Sequence, residues 1–225
     1  MTPKSCLFFA AGLGTRMAPL TATRPKPLIP VGSTTLLDHA LDLGQQAGLA
    51  RPVINLHYLG DQIEAHLAGR GVAFSDERDA LRDTGGGLKK ALPILGENPV
   101  FTMNTDAVWA GANPFRQLYA AWRDGMEGLL LLIPRDRAVG HLGTGDFLSD
   151  TTGRLTPGPG AVYTGAQIIR TDRLQSITAK VFSMWDLWRP MIDAGTLFGT
   201  LHGGQWCDVG RPESLPLANA LMGGA

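Results

Sequence analysis

Cys6-Leu7-Phe8-Phe9-Ala10-Ala11-Gly12-Leu13-Gly14-Thr15-Arg16-Met17 runs from six apolar residues straight into a glycine-rich turn. A short apolar run closed by glycine reads as a buried strand over 6–11. Two glycines after such a strand let backbone N–H groups approach an anion closely, and a helix N-terminus following the turn adds its dipole. The pattern departs from a dinucleotide fingerprint, which has a third glycine where Met17 stands and an acidic residue about 20 positions further on. Here residue 32 is Gly32, and the chain between carries Arg16, Arg24 and Lys26. The P-loop lysine pattern is missing as well. A strand-end loop followed by cations suits a nucleoside triphosphate better than a dinucleotide. Taken alone, the loop fits a plain tight turn equally well.

The next stretch, Arg24-Pro25-Lys26-Pro27-Leu28-Ile29-Pro30, sets a lysine between two prolines. Proline fixes φ and removes a backbone donor, so this segment is stiff and extended, and Lys26 is held in place.

Further along, short apolar strands alternate with segments of helical period. Residues 34–47 repeat apolar groups at helical spacing and stop at Gly48; 52–56 reads as a strand, 60–67 as a helix and 99–103 as a strand ending at Asn104-Thr105-Asp106. Asn113 caps a helix that begins at Pro114 and runs to about Arg123, and 129–133 is another strand. The spacing then predicts strands at 161–163 and 166–170, a helix around 180–193, strands at 197–201 and 205–209, and a helix from Pro212 to Met222. Strands separated by helices imply an α/β fold: a Rossmann-like mixed, mostly parallel sheet with helices on both faces. One domain over 1–225 is expected, with a lobe embedded at about 136–200, where Gly, Pro and Thr break the rhythm.

Composition excludes several classes. Twenty basic residues balance 20 acidic ones, so no global charge draws the chain to nucleic acid or an anionic membrane. With 44% hydrophobic residues and no run of like charge, the chain folds. The two cysteines, Cys6 and Cys207, build no disulfide framework and point to a reducing, cytoplasmic compartment. The apolar start imitates a signal peptide only faintly, and the later run Leu129–Ile133 falls far short of the roughly 20 residues that span a bilayer.

Two aspartates end strands: Asp106, and Asp208 in Trp206-Cys207-Asp208-Val209-Gly210. Ligands of open α/β sheets bind at the carboxyl ends of strands, and Mg²⁺ is usually held by one or two carboxylates together with phosphates. Each aspartate alone fits a turn or a cap equally. His57, His141 and His202 lack the spacing of a zinc site, and no nucleophile elbow occurs. Asp83-Thr84-Gly85-Gly86-Gly87-Leu88-Lys89-Lys90 is a second glycine-rich turn opening a helix, where close backbone approach explains residues that weaken a helix.

Taken together, Ala10-Ala11-Gly12-Leu13-Gly14-Thr15-Arg16-Met17 and Pro25-Lys26-Pro27-Leu28 resemble the signature of the sugar-1-phosphate nucleotidyltransferases. The resemblance covers nearly the whole chain and implies the nucleotide-diphospho-sugar transferase fold with a small sugar-binding lobe. It implies that Ala11, Gly12, Gly14 and Thr15 wrap a triphosphate, and that Arg16 and Lys26 neutralise it and act in catalysis. Gly85 and Gly86 would read the nucleobase through backbone groups. Asn104, Asp146, Thr164 and Gly165 would line the sugar phosphate, and Asp106 and Asp208 would hold Mg²⁺. One departure stands out: the Glu-Lys-Pro that many members carry in the middle lobe is missing, and Lys180 is a candidate stand-in for its lysine. The short chain, its Asp-Thr-Gly-Gly-Gly turn and Gly145-Asp146-Phe147 are most similar to members acting with UTP on N-acetylmuramate 1-phosphate in cell-wall recycling.

The implied partners are therefore an NTP and a sugar 1-phosphate, with no nucleic acid and no membrane, in a monomer or small homo-oligomer. A phosphomonoester with a second pKa near 6 is mostly ionised at neutral pH, so this transfer needs no general base. Cytidylyl transfer to a non-sugar phosphate such as phosphocholine, and a non-catalytic nucleotide-binding module, stay open as alternatives.

Overall fold

The structure is a computed structural model that describes residues 3–223. In chain order the elements are β1 (Ser5–Phe9), β2 (Pro30–Val31), β3 (Thr34–Thr35), α1 (Leu36–Gln46), β4 (Arg51–Leu56), α2 (Gly60–His66) and β5 (Ala73–Asp76). Then come α3 (Asp83–Leu95), β6 (Val100–Asn104), β7 (Ala107–Ala110), α4 (Pro114–Ala121), β8 (Gly128–Ile133) and β9 (Ala138–Val139). The remainder comprises β10 (Phe147–Ser149), β11 (Leu155–Pro157), β12 (Val162–Ile169), α5 (Trp185–Asp193), β13 (Leu197–Leu201), β14 (Gln205–Asp208) and α6 (Leu215–Gly223).

Alternating apolar residues on the strands bury both faces of a seven-stranded sheet ordered β13-β8-β12-β6-β1-β4-β5. Cys6 and Phe8 face the side covered by α1, α2 and α4, through Leu37, Ile63 and Phe115. Leu7 faces the side covered by α3 and α5, through Leu88 and Leu187. Leu129, Leu131 and Ile133 of β8 likewise join the first layer and Leu130 and Leu132 the second. This is the expected α/β sandwich with a mixed sheet: β1 pairs parallel with β4 and β6, and β8 with β13, whereas β12 runs antiparallel to both its neighbours.

Local capping sets two helix starts, of which the second was expected. Thr35 and Asp38 form a reciprocal capping box on α1. Asn113 Oδ1 accepts from the N–H groups of Phe115 (3.0 Å) and Arg116 (3.2 Å), with Pro114 in the first turn of α4.

Several boundaries differ from expectation. The two strands at 161–163 and 166–170 are one strand, β12, whose register with β8 shifts between Tyr163 and Gln167; Gly165, at φ +91°, sits in this bulge. The helix around 180–193 begins only at Trp185, and 180–184 is non-helical chain packed on α3. The turn expected at Asp83–Lys90 is α3 itself, which starts at Asp83 and contains all three glycines. Edge strand β5, strand β7 and hairpin β10–β11 were not expected.

A second sheet, β7-β14-β9, lies beside the first, with β14 antiparallel to β7 and parallel to β9. Helix α6 covers it through Ala218, which packs with Val108 and Cys207. Among the described residues no helix is long and apolar enough to cross a membrane.

Candidate active site

At the carboxyl ends of β1, β4 and β6 opens a cleft of about 420 Å³, lined by Ala11, Gly12, Lys26, Asn55, Asn104 and Asp106 among others. Its floor is the start of the first glycine loop. Asn55, buried at the end of β4, accepts on Oδ1 from the N–H groups of Ala10 (2.6 Å) and Ala11 (3.2 Å). Its Nδ2 donates to Glu77 Oε1 at 2.9 Å. Glu77 is fully buried and also lines the cleft, and its Oε2 has no hydrogen-bond partner. Burial pushes its carboxyl above the usual range, against the opposing hydrogen bond from Asn55.

Gly12 has open space where a side chain would stand, whereas Gly14 takes φ +64° with a virtual Cβ 2.9 Å from Thr21. The turn after it, Thr15–Met17, is a single 3₁₀ turn. The helix dipole expected behind the loop is therefore absent, and any anion here relies on loop N–H groups and side-chain cations. Thr15 and Arg16 are exposed and lie outside the cleft lining.

Lys26 begins another 3₁₀ turn, Lys26–Leu28, gripped between Pro25 and Pro27. It is 9% exposed, and its Nζ lies 2.9 Å from Asp106 Oδ2. Asp106 occupies the turn between β6 and β7, and its carbonyl accepts from the Val209 N–H at 2.8 Å. Asp208 ends β14 in register with Ala107. The pairing of β7 with β14 thus brings together two aspartates 102 positions apart in the chain. Burial pushes the Asp208 carboxyl up, the Asp106 charge adds to this, and Lys26, Arg16 and His141 oppose it. Arg16, Lys26, Asp106 and Asp208 therefore form one electrostatic cluster, with His141, weighed in the sequence only as a zinc ligand and set aside, as a further member.

Among the described residues no group of three or more His, Cys, Asp or Glu is arranged to hold a metal alone. Two hard, mutually repelling carboxylates do fit Mg²⁺ when phosphate oxygens complete its shell. The donor set matches the expected cofactor.

A second cleft of about 210 Å³ adjoins the first, and the two share Phe9, Thr84 and Asn104. Phe147, Tyr163, Trp185 and Trp188 line it, with Trp185 and Trp188 edge to face at 5.2 Å. Asp146 also lines it and accepts the Tyr163 N–H at 2.8 Å. No Lys, Arg or His lines this cleft, so Lys180 is not part of it.

The other expected residues stand back from both clefts. Thr164 is buried and donates its hydroxyl to the Leu131 carbonyl at 2.7 Å. Gly165 backs Asn104, whose Cβ lies 2.8 Å from the glycine's virtual Cβ. Gly85 and Gly86 do not line the first cleft; their neighbours Asp83 and Thr84 do. Asn55, Glu77 and the tryptophans were missed by sequence reasoning. A polar Asn55 closing the apolar run of β4 was the one available signal.

A family model described as the MobA-like NTP transferase domain matches residues 6–157. The N-acetylmuramate alpha-1-phosphate uridylyltransferase of Caulobacter vibrioides is 37% identical, over 98% of this chain and 97% of that protein. Its counterpart from Neisseria meningitidis is 33% identical, over 96% and 97%. Among solved structures, HddC from Yersinia pseudotuberculosis complexed with GMP-PN superposes with a TM-score of 0.79 at 19% identity, covering 96% of this chain and 98% of that one. That likeness establishes the fold.

Proposed function

This chain belongs to the MobA-like NTP transferase domain family, and from that membership we propose that it transfers a uridylyl group from UTP to a sugar 1-phosphate, releasing pyrophosphate. The favoured acceptor is N-acetylmuramate 1-phosphate, on which the similar uridylyltransferases are named to act. The observation that carries the reading is the cluster of Arg16, Lys26, Asp106 and Asp208, of which Lys26 and Asp106 line one cleft, with a second cleft joined to it across Phe9, Thr84 and Asn104.

In this mechanism the ionised acceptor phosphate supplies the nucleophile. One of its oxygens forms a bond to the α-phosphorus as the bond to the bridging oxygen of pyrophosphate breaks, in line. The loop holds the triphosphate through the backbone N–H groups of Gly12 and Gly14, with Ala11 shaping the cleft floor while its own N–H is held by Asn55. Arg16 and Lys26 absorb the charge that grows on the departing pyrophosphate. Asp106 and Asp208 would hold Mg²⁺, which when bound supplies charge neutralisation to the phosphates. Asn104, shared by both clefts, orients the acceptor toward the α-phosphate. Cys6 and Cys207 are both free and buried, which supports work in the reducing cytoplasm.

One observation favours a second reading. The second cleft offers five aromatic rings and Asp146 without a cation, a chemistry that also suits a quaternary ammonium, so phosphocholine with CTP is the competitor. The test is a Mg²⁺ reaction of each NTP with N-acetylmuramate 1-phosphate, other sugar 1-phosphates and phosphocholine, read as phosphate after pyrophosphatase. Release with UTP and N-acetylmuramate 1-phosphate is expected. Release with CTP and phosphocholine alone, or with no pair, overturns the proposal.

A further inference from the structure

The glycines of α3 make room for protein. Their φ values do not require glycine, so the reason is close approach. A Cβ on Gly85 would lie 2.6 Å from ring carbons of Phe182 and 2.7 Å from the Ser183 carbonyl oxygen, and one on Gly86 would overlap the Lys180 carbonyl oxygen. The backbone is clasped at the same place. The Gly86 N–H donates to the Phe182 carbonyl at 3.1 Å, and the Phe182 N–H donates to the Arg82 carbonyl at 3.2 Å. The Met184 N–H donates to Thr84 Oγ1 at 3.0 Å. The Gly86 amide, implied by family resemblance to read a base, is engaged by the protein itself.

This strap, residues 180–184, leads directly into α5, whose Trp185 and Trp188 wall the second cleft. Thr84, which anchors the strap's far end, lines both clefts. Phe182 is buried in the same hydrophobic cluster as Leu88 and Trp188, so the clasp ties the start of α3 to the aromatic wall.

We propose that the Thr84–Gly86 turn is a seat for the Lys180–Met184 strap, which fixes the Trp185–Trp188 wall relative to the nucleotide cleft. Gly86 and Phe182 are then positioning residues for the acceptor; because Val181 of the strap also lines the nucleotide cleft, nucleotide affinity depends on them far less than turnover of the acceptor does. The inference rests on the reading of the second cleft as the acceptor site. Its logic is geometric: a wall displaced by about 1 Å misaligns the acceptor with the α-phosphate, at a cost of up to about a hundredfold.

The experiment uses the full chain and three variants: Gly86→Ala, which pushes a methyl group into the strap, Phe182→Ala, which removes its anchor, and Phe182→Leu, which retains an apolar filler. UTP affinity is measured by calorimetry without acceptor, and acceptor KM and kcat by pyrophosphate release. Hydrogen exchange of the 183–193 segment reports strap release, and protection of β1 and β6 shows that the variants are folded. In Gly86→Ala and Phe182→Ala, acceptor kcat/KM is expected to fall about tenfold to a hundredfold, with faster exchange over 183–193 and a far smaller loss of UTP affinity. Phe182→Leu is expected to recover most of the loss. If Phe182→Ala does not fold, Gly86→Ala and Phe182→Leu carry the comparison. UTP affinity falling in step with acceptor kcat/KM overturns the seat, as does an unchanged acceptor kcat/KM in the folded variants while the wild type turns over. A wild type inactive on every sugar 1-phosphate removes the functional reading and the seat's role with it.

Discussion

Replacing Asn55 by alanine would unfasten the floor of the nucleotide cleft. Asn55 is 3% exposed, and its side chain serves three partners: the N–H groups of Ala10 and Ala11, and Glu77 Oε1. Truncation leaves all three buried without a hydrogen bond, at about 1–3 kcal/mol each, hence about 3–9 kcal/mol for the set. Ala10, Ala11 and Glu77 all line the cleft, so water entering the space left by the side chain offsets part of this and the lower part of that range applies, about 3–5 kcal/mol. Against a typical total of about 5–15 kcal/mol this is severe but survivable. The loss also depends on pH. Burial already raises the Glu77 carboxyl, and Asn55 leads the groups that oppose the rise. Without Asn55 the folded value climbs further above the unfolded one. The native state then holds its proton more readily, so the contribution is fully present below the unfolded pKa and is lost as pH rises through the folded one. The deficit relative to wild type must therefore be larger at pH 8 than at pH 5. Urea unfolding at both pH values, with m checked for constancy, measures it. A loss below about 1 kcal/mol, or one equal at both pH values, would refute the reasoning.

Further substitutions probe the carboxylates, the bulge and a buried histidine. Asp106→Asn and Asp208→Asn are each expected to lower turnover about 10²–10³-fold. Asp208→Asn should nevertheless raise the melting temperature in the absence of divalent metal, because it removes the repulsion from Asp106; pyrophosphate release and thermal melts check the pair, and full Mg²⁺-dependent activity in either variant removes the metal assignment. Gly165→Ala forces a side chain onto a backbone at φ +91° with its Cβ 2.8 Å from that of Asn104, and should cost about 1–3 kcal/mol in chemical denaturation; an unchanged midpoint would contradict the bulge geometry. His202 is 1% exposed, and burial, with Arg137 adding, holds it at about 4. Only the unfolded chain takes up its proton between about 6.5 and 4, so wild-type stability should fall by about 3.5 kcal/mol across that window (about 2.5 pH units at about 1.4 kcal/mol each). His202→Gln should flatten that slope in acid-unfolding curves, and a slope equal to wild type would show that His202 does not set it.

Elements defined by chemistry within a few residues were legible in the sequence. Helix α4 needed only Asn113, whose Oδ1 accepts the orphan N–H groups two and three positions on, and Pro114, whose fixed φ suits a first turn. Strands β1 and β8 needed only their apolar runs, because both faces of the sheet are covered. Strand β7 was not legible, since its partner β14 lies about a hundred residues on and nothing local announces the pairing. Thr164-Gly165 broke the apolar pattern of β12 and read as an interruption, although the strand continues through a bulge between two antiparallel partners.

The same division runs through the candidate site. By itself the sequence determined which side chains are available: a glycine turn after a buried strand, a lysine stiffened by flanking prolines, and aspartates at strand ends. These follow from φ restriction and hydrogen-bond chemistry acting over a few residues. Only the tertiary structure decided which of them meet. Pairing of β7 with β14 brought Asp208 to Asp106, packing of the Lys180–Met184 strap occupied Gly85 and Gly86, and Asn55 was drawn under the loop at Ala10. Such contacts join residues dozens to about a hundred positions apart, and they form because burying the shared apolar faces of sheet and helices outweighs the entropy of closing long loops, a balance no local stretch of chain encodes.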